Sequence, residues 1–277
     1  AAAPPCCPPR FLRAVRGDRE KALERWRETE AWRREHPWRA TLSRPQPHFE
    51  RIKQLHRHFI HRTDRAGHPV FYEVIERPNA KFRELREHGV ELRDVIEHFH
   101  FLYEWRYRVE ARKRRAHNLL RARRVSVTHT PTAQVRDADE LGREPAASRG
   151  YLLRVFDLRR VGLADCGGDA LRYFKLLGEL NHHFPERVFK TLLINAPAAF
   201  GAIWALVAPL LDRNVREKVV VCRGDYTATL CELVGEDHVP VEFGGRDDAP
   251  SPQEGRLRAF VRALGAAAES QELPPND

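Results

Sequence analysis

Three short runs decide how this chain folds: His183-Phe184-Pro185-Glu186-Arg187, then Thr191-Leu192-Leu193-Ile194-Asn195-Ala196-Pro197, and finally Val239-Pro240-Val241-Glu242-Phe243-Gly244-Gly245. Residues 191–211 between them carry no charge. Such a stretch either crosses a membrane or builds something apolar, and a spanning helix needs about 20 apolar residues. Asn195, Pro197, Gly201 and Pro209 interrupt this one. Residues 188–194 contain Val188, Thr191 and Ile194 and stop at a turn signal, which predicts a buried strand. Asn195-Ala196-Pro197 breaks the strand. Residues 198–211 then read as a helix apolar on nearly every face, with Phe200, Ile203, Trp204 and Val207 at helical spacing. The prolines and the glycine favour a core helix over a membrane span.

Outward from there, strand and helix signals alternate. Residues 151–158 predict a strand, 168–183 a helix, 219–221 a strand, 226–233 a short helix and 239–242 a last strand. Alternation of this kind means crossover units and a largely parallel sheet. Upstream, residues 70–75 follow a Gly67 turn as a strand. A long helix is expected over 92–115, with Leu92, Val95, Ile96, Phe99, Leu102 and Tyr103 on its apolar face. Asp18 is a fitting N-cap for a helix through Glu35 that Pro37 ends. Pro45 and Pro47 mark a linker. Residues 253–268 suggest an amphipathic tail helix.

The expected organisation is a disordered tail over 1–10, part of an N-terminal helical lobe over 11–44, one large domain over 45–245 and a C-terminal tail over 246–277. Residues 121–149 are polar and aperiodic and read as a disordered insert in that domain. The chain has no Met, not even at position 1, and its helical lobe starts partway, so an incomplete gene model is expected.

The 277 residues suffice for one sizeable core. A net charge of +9 favours anionic partners such as phospholipid headgroups or nucleic acid. Arg106, Arg108, Arg112, Lys113, Arg114 and Arg115 form a basic helix end, read either as an anionic-lipid contact or as a solvated face. No nucleic-acid motif accompanies the charge. With no apolar leader and an odd cysteine number, the cytosol is expected. Cys6-Cys7 offers a palmitoylation pair. His56, His58, His61, His182 and His183 lack a matching carboxylate or cysteine set and are read as surface or linker residues, with no metal expected. Cys166-Gly167-Gly168-Asp169-Ala170-Leu171-Arg172 has the Cys-x5-Arg spacing of a phosphatase loop, in which a thiolate attacks phosphate. Asp165 beside the thiol and the missing glycine before Arg172 argue for a plain strand-to-helix loop.

Phe184-Pro185-Glu186-Arg187, Asn195-Ala196-Pro197, Leu211-Asp212, Lys218 before Val219-Val220-Val221, and the run from Pro240 to Gly245 follow one another in the order of the CRAL-TRIO lipid-binding domain. The chain resembles that family in its phosphatidylinositol/phosphatidylcholine-transfer branch. His61-Arg62-Thr63-Asp64 through Gly67-His68-Pro69-Val70 resembles the family's first strand, with His68 where Arg is usual. The resemblance implies an α/β fold whose largely parallel sheet is the floor of an apolar pocket flanked by helices. It implies a non-enzymatic, monomeric carrier that binds a phospholipid without other cofactors and visits anionic membranes peripherally. Phosphatidylinositol is the leading ligand, exchanged with phosphatidylcholine or another hydrophobe. Arg33, Arg34, Glu186 and Lys218 match the headgroup positions. Phe200, Ile203, Trp204, Val207 and Leu211 match the gate or the acyl pocket. Val215 stands where a Thr is usual, so one hydroxyl contact is missing. A phosphatase using Cys166 and Arg172, and a relative that only docks on membranes, are the alternatives.

Overall fold

A computed structural model of the chain describes residues 7–110, 151–198, 200–211, 213–222 and 224–272. Its centre is a five-stranded sheet: β1 (His58–Thr63), β2 (Pro69–Val74), β3 (Leu152–Asp157), β4 (Val188–Ile194) and β5 (Val219–Val221), in spatial order 1-2-3-4-5. Only β1–β2 is antiparallel; β2–β3, β3–β4 and β4–β5 run parallel. The expected mostly parallel sheet is therefore present, with β3 at its centre.

Register puts the chemistry on two faces. On one face the rows Phe71–Arg154–Thr191–Val219 and Glu73–Phe156–Leu193–Val221 run across β2 to β5. On the other, Tyr72–Val155–Leu192–Val220 packs with Leu230 and Val234 of a helix over Thr227–Val234, and with Phe243.

The first face is covered in two ways. Over its β1–β3 half lie helices Phe49–Leu55 (α4), Pro78–Glu87 (α5), Leu92–Glu104 (α6), Gly168–His182 (α7) and Pro252–Glu272 (α11), sharing a core that includes Phe99, Trp105, Tyr173 and Leu257. Over its β4–β5 half lies one short helix, Phe200–Val207 (α8), whose Phe200 and Trp204 pack with Phe156, Leu193, Val219 and Val221. Helices α1 (Pro9–Ala14), α2 (Arg19–Glu35) and α3 (Trp38–Ser43) precede this domain. Asp18 does cap α2, its side chain accepting from the Lys21 N–H.

Several expectations need correction. The stretch after Pro45 and Pro47 forms α4 and β1, so His56, His58 and His61 are buried residues and not linker histidines. His56 Nε2 lies 2.8 Å from Glu73 Oε1, His58 Nε2 lies 2.9 Å from His98 Nε2, and His61 Nε2 lies 3.0 Å from Asp247 Oδ2. Histidine can be buried when its ring nitrogens find partners, and single-sequence patterning does not show partners distant in the chain. The expected strand over 239–242 is a 3-10 turn, Val241–Phe243, with one isolated bridge between Pro240 and Asp247. Its two glycines are needed for close approach: a Cβ on Gly245 would sit 2.1 Å from Val239 O, and Gly244 has φ +86° against Thr227. The helix starting at Leu92 continues beyond Glu104 as a π-helical stretch, Trp105–Glu110. Arg106 there is buried and Arg108 Nε donates to Glu104, so these two are not a solvated face. Arg112, Lys113, Arg114, Arg115, the 121–149 insert, Cys6 and Asp212 lie outside the described residues. Among the described residues no helix is long and apolar enough to cross a membrane.

Candidate functional site

The site grows out of the turn that follows α7. Phe184 is buried against Trp32, His100, Tyr103 and Tyr107. Pro185 then ends the run, and Glu186 adopts φ +54°. A non-glycine residue in the left-handed region is uncommon and often marks a functional position. That backbone sends the Glu186 carboxylate to Lys218, whose Nζ donates to Oε2 at 2.9 Å. Lys218 is held at the start of β5, its carbonyl accepting from the Thr191 N–H at 2.9 Å. The two side chains are 14% and 26% exposed, so the pair is reachable from solvent yet partly desolvated. Two residues 32 positions apart, both named in the sequence analysis as headgroup positions, are thereby brought into one charge pair.

The two arginines are placed differently. Arg33 Nη1 donates to Glu104 Oε1 at 3.0 Å, and its guanidinium lies 5.3 Å from the Phe184 ring. It thus borders the same turn while being engaged by Glu104. Burial raises the Glu104 pKa, but His100, Arg33 and Arg108 outweigh it and hold the carboxyl down at about 2. Arg34 is exposed on the far side of α2. Trp32 is flanked by His36 and His183, stacked at 4.7 and 4.4 Å. Burial, then His182 and Arg33, pulls His183 down to about 4, which keeps that ring neutral at physiological pH.

The α8 segment begins at Asn195-Ala196-Pro197. Asn195 turns the chain with φ +52°, a conformation Asn tolerates. Its Nδ2 donates to Asp157 Oδ1 at 2.9 Å, and the fully buried Asp157 also accepts from Arg159 Nε at 2.6 Å. Beyond this anchored corner α8 is thin. Phe200, Ile203, Trp204 and Val207 are half-buried, as is Leu211 after the helix; Gly201, Ala202 and Ala205 face outward. Helix α9 (Arg213–Glu217) follows and is tied to the N-terminal lobe. Arg16 donates through Nε to Asn214 at 3.0 Å and through Nη2 to Glu217 at 2.6 Å. These contacts join residues about 200 positions apart and are invisible to periodicity.

The Cys-x5-Arg loop does not assemble as a phosphatase cradle. Cys166 Sγ points to Gly162 O at 3.8 Å, while Arg172 is exposed and pairs with Asp169 at 3.4 Å. Among the described residues no group of His, Cys, Asp and Glu could hold a metal ion.

A family model described as the CRAL/TRIO domain matches residues 54–245, which hold the whole sheet, α8 and the closing glycine turn. The chain is 24% identical over 260 residues to the CRAL-TRIO domain-containing protein YKL091C of Saccharomyces cerevisiae, covering 88% of this chain and 72% of that one. It is also 24% identical to the phosphatidylinositol/phosphatidylcholine transfer protein SFH7 of Arabidopsis thaliana, over 85% of this chain but only 38% of that protein's length. Among solved structures, the crystal structure of Sfh5 aligns with a TM-score of 0.54 at 12% identity, covering 92% of this chain and 80% of that one. Sheet, α8 and closing turn thus fall together inside the matched segment, and the chain belongs to the CRAL/TRIO domain family.

Proposed function

We propose that this protein binds one lipid in the apolar space between the sheet floor and α8 and carries it between membranes, with phosphatidylinositol as the preferred ligand and phosphatidylcholine or another hydrophobe as its exchange partner. The observation that carries this reading is the Lys218–Glu186 pair at the β5 edge, beside a lid helix whose aromatic residues are only half-buried. Exposing two chains of about 16 carbons would cost on the order of 25 kcal/mol at about 0.8 kcal/mol per CH2. A carrier therefore needs an enclosed apolar space and a door. Helix α8 suits the door: it is anchored at Asn195 and otherwise meets the floor through few large side chains.

In this reading Lys218 takes the headgroup phosphate and Glu186 accepts from inositol hydroxyls, each charge-assisted. Arg33 lends positive charge from across the turn, and the exposed Arg34 reaches outward toward an anionic membrane. The relative's name, a phosphatidylinositol/phosphatidylcholine transfer protein, supports the same ligand pair. Peripheral contact with anionic membranes and action as a cytoplasmic monomer complete the proposal.

The test is mass spectrometry of lipids copurifying with the protein, followed by transfer of labelled lipids between vesicles. Phosphatidylinositol should be the enriched lipid. Lys218→Ala should lower phosphatidylinositol transfer about tenfold, the scale of one charge-assisted contact of roughly 1.5 kcal/mol, and spare phosphatidylcholine. Equal loss for both lipids would refute the headgroup assignment.

A further inference from the structure

The floor of the cleft carries a charge that none of these roles uses. Arg154, in the middle of β3, is only 8% exposed. Its guanidinium lies among three rings, with the Phe156, Phe71 and Tyr103 centroids at 5.5, 5.9 and 5.9 Å. Nη2 donates to the Tyr103 hydroxyl at 2.6 Å, which donates onward to Asn181 Oδ1 at 3.1 Å. Nε is buried with no hydrogen-bond partner among the described residues. No carboxylate among the described residues forms an ion pair with Arg154. Glu73 acts on it only from a distance; its Oε1 is taken by His56 at 2.8 Å and Tyr173 at 3.1 Å, while its buried Oε2 has no hydrogen-bond partner among the described residues.

A buried cation without a counter-ion costs several kcal/mol, and an apolar side chain of similar volume is commonly the more stable choice. A buried guanidinium that keeps one donor, Nε, without a partner among the described residues can still receive an anion. Arg154 also lines a cavity of about 20 Å³, room for roughly one small polar group. Trp105 lines the same cavity, is 2% exposed, and has a buried Nε1 with no partner. Lys53 and Glu254 reach this wall but bond to each other at 2.8 Å, and Arg106 adds further positive charge to it. The remaining wall is apolar, including Ile60, Phe71 and Leu152. On its other side Arg154 stacks on Phe156, which belongs to the cluster holding Phe200 and Trp204.

We propose that Arg154, with the indole N–H of Trp105, seats the carboxylate of a long-chain acid whose hydrocarbon tail runs over Phe156 toward α8. This second ligand class rests on the lipid-carrier reading for the place of its tail, and its head lies away from the Lys218–Glu186 pair. The small cavity fits a carboxylate and not an inositol phosphate, and one guanidinium neutralises one carboxylate.

The experiment compares oleate with oleyl alcohol, which has the same chain and a neutral head, on the delipidated full chain. Oleate should bind at least about tenfold tighter than the alcohol, and Arg154→Met should remove that margin while leaving the alcohol within about twofold. Trp105→Phe, which deletes only the N–H, should weaken oleate about two- to fivefold. Oleate should raise the melting temperature of the wild type and not of Arg154→Met, and the ligand-free variant should melt no lower than the wild type. Unchanged oleate binding by Arg154→Met, or equal binding of both ligands by the wild type, overturns the carboxylate seat. If oleyl alcohol and labelled phospholipid still bind, the carrier reading survives that failure. A wild type that binds none of these ligands sinks both.

Discussion

The two halves of the sheet face are built to opposite standards. Under α4 to α7 and α11, the β1–β3 half buries Phe99 completely and leaves Trp105 and Tyr173 each 2% exposed. Several of its polar residues are linked in chains: Tyr173 and His56 both reach Glu73, His58 faces His98, and Lys53 reaches the His58 carbonyl at 2.8 Å. Among the described residues the β4–β5 half is covered by α8, with Phe174 of α7 joining its cluster, and every residue of β5 is half-buried. Local stability follows buried apolar contact. One half is thus a densely packed cradle, and the other is more thinly covered.

Cutting into the cradle should show the largest effect. Phe99→Ala removes a fully buried ring and should cost about 3–5 kcal/mol, read as a lowered urea midpoint. A loss below about 1 kcal/mol would mean that the two halves are packed alike.

Acid should attack the cradle next. Burial, then Lys53 and neighbouring histidines, pushes the His58 and His98 pKa values well below 6.5. Their folded-state values are lower than their unfolded ones, so the unfolded chain takes up protons first as pH falls. Stability is then full above about 6.5 and declines below it, by up to about 1.4 kcal/mol per pH unit for each histidine. Glu104, held at about 2, loses its contribution only below its ordinary value of 4.5. Urea unfolding at pH 7.5 and 5.5 therefore isolates the histidines; equal stability at both would show that these rings are not held neutral.

The thin half should respond in function more than in stability. Trp204→Ala should cost under about 1.5 kcal/mol, because the ring is only half-buried, yet change vesicle-to-vesicle lipid transfer several-fold. A variant as unstable as Phe99→Ala would make α8 an ordinary core helix. Glu217→Gln, which removes an exposed partner of Arg16, should leave the urea midpoint unchanged. It should speed amide exchange over 213–217, since that tie joins the lid's far end to the N-terminal lobe. Unchanged exchange would mean that the lobe does not restrain the lid.

Much of this was legible in the chain. The β3, β4 and β5 runs, helix α8 and the order of motifs follow from short-range chemistry: β-branched runs, an Asn-Ala-Pro corner, a glycine pair. Glu186 and Lys218 were each named through the family resemblance, but their pairing was not legible. Strand β1 was missed because His58-Phe59-Ile60-His61-Arg62-Thr63 looks polar, and its histidines become core residues only through Glu73, His98 and Asp247. The π-helical continuation after Glu104 hid the burial of Arg106 in the same way.

By itself, then, the order of residues determined the alternation of strand and helix, the parallel sheet and the uncharged helix α8, because those depend on neighbours within a few positions. Only tertiary structure decided which charges are paired. Arg33 meets Glu104, Arg16 meets Glu217, and Arg154 is buried with no ion pair to a carboxylate among the described residues. Whether a charge is paired depends on what folding brings to it from far along the chain, and local pattern carries no record of that distance.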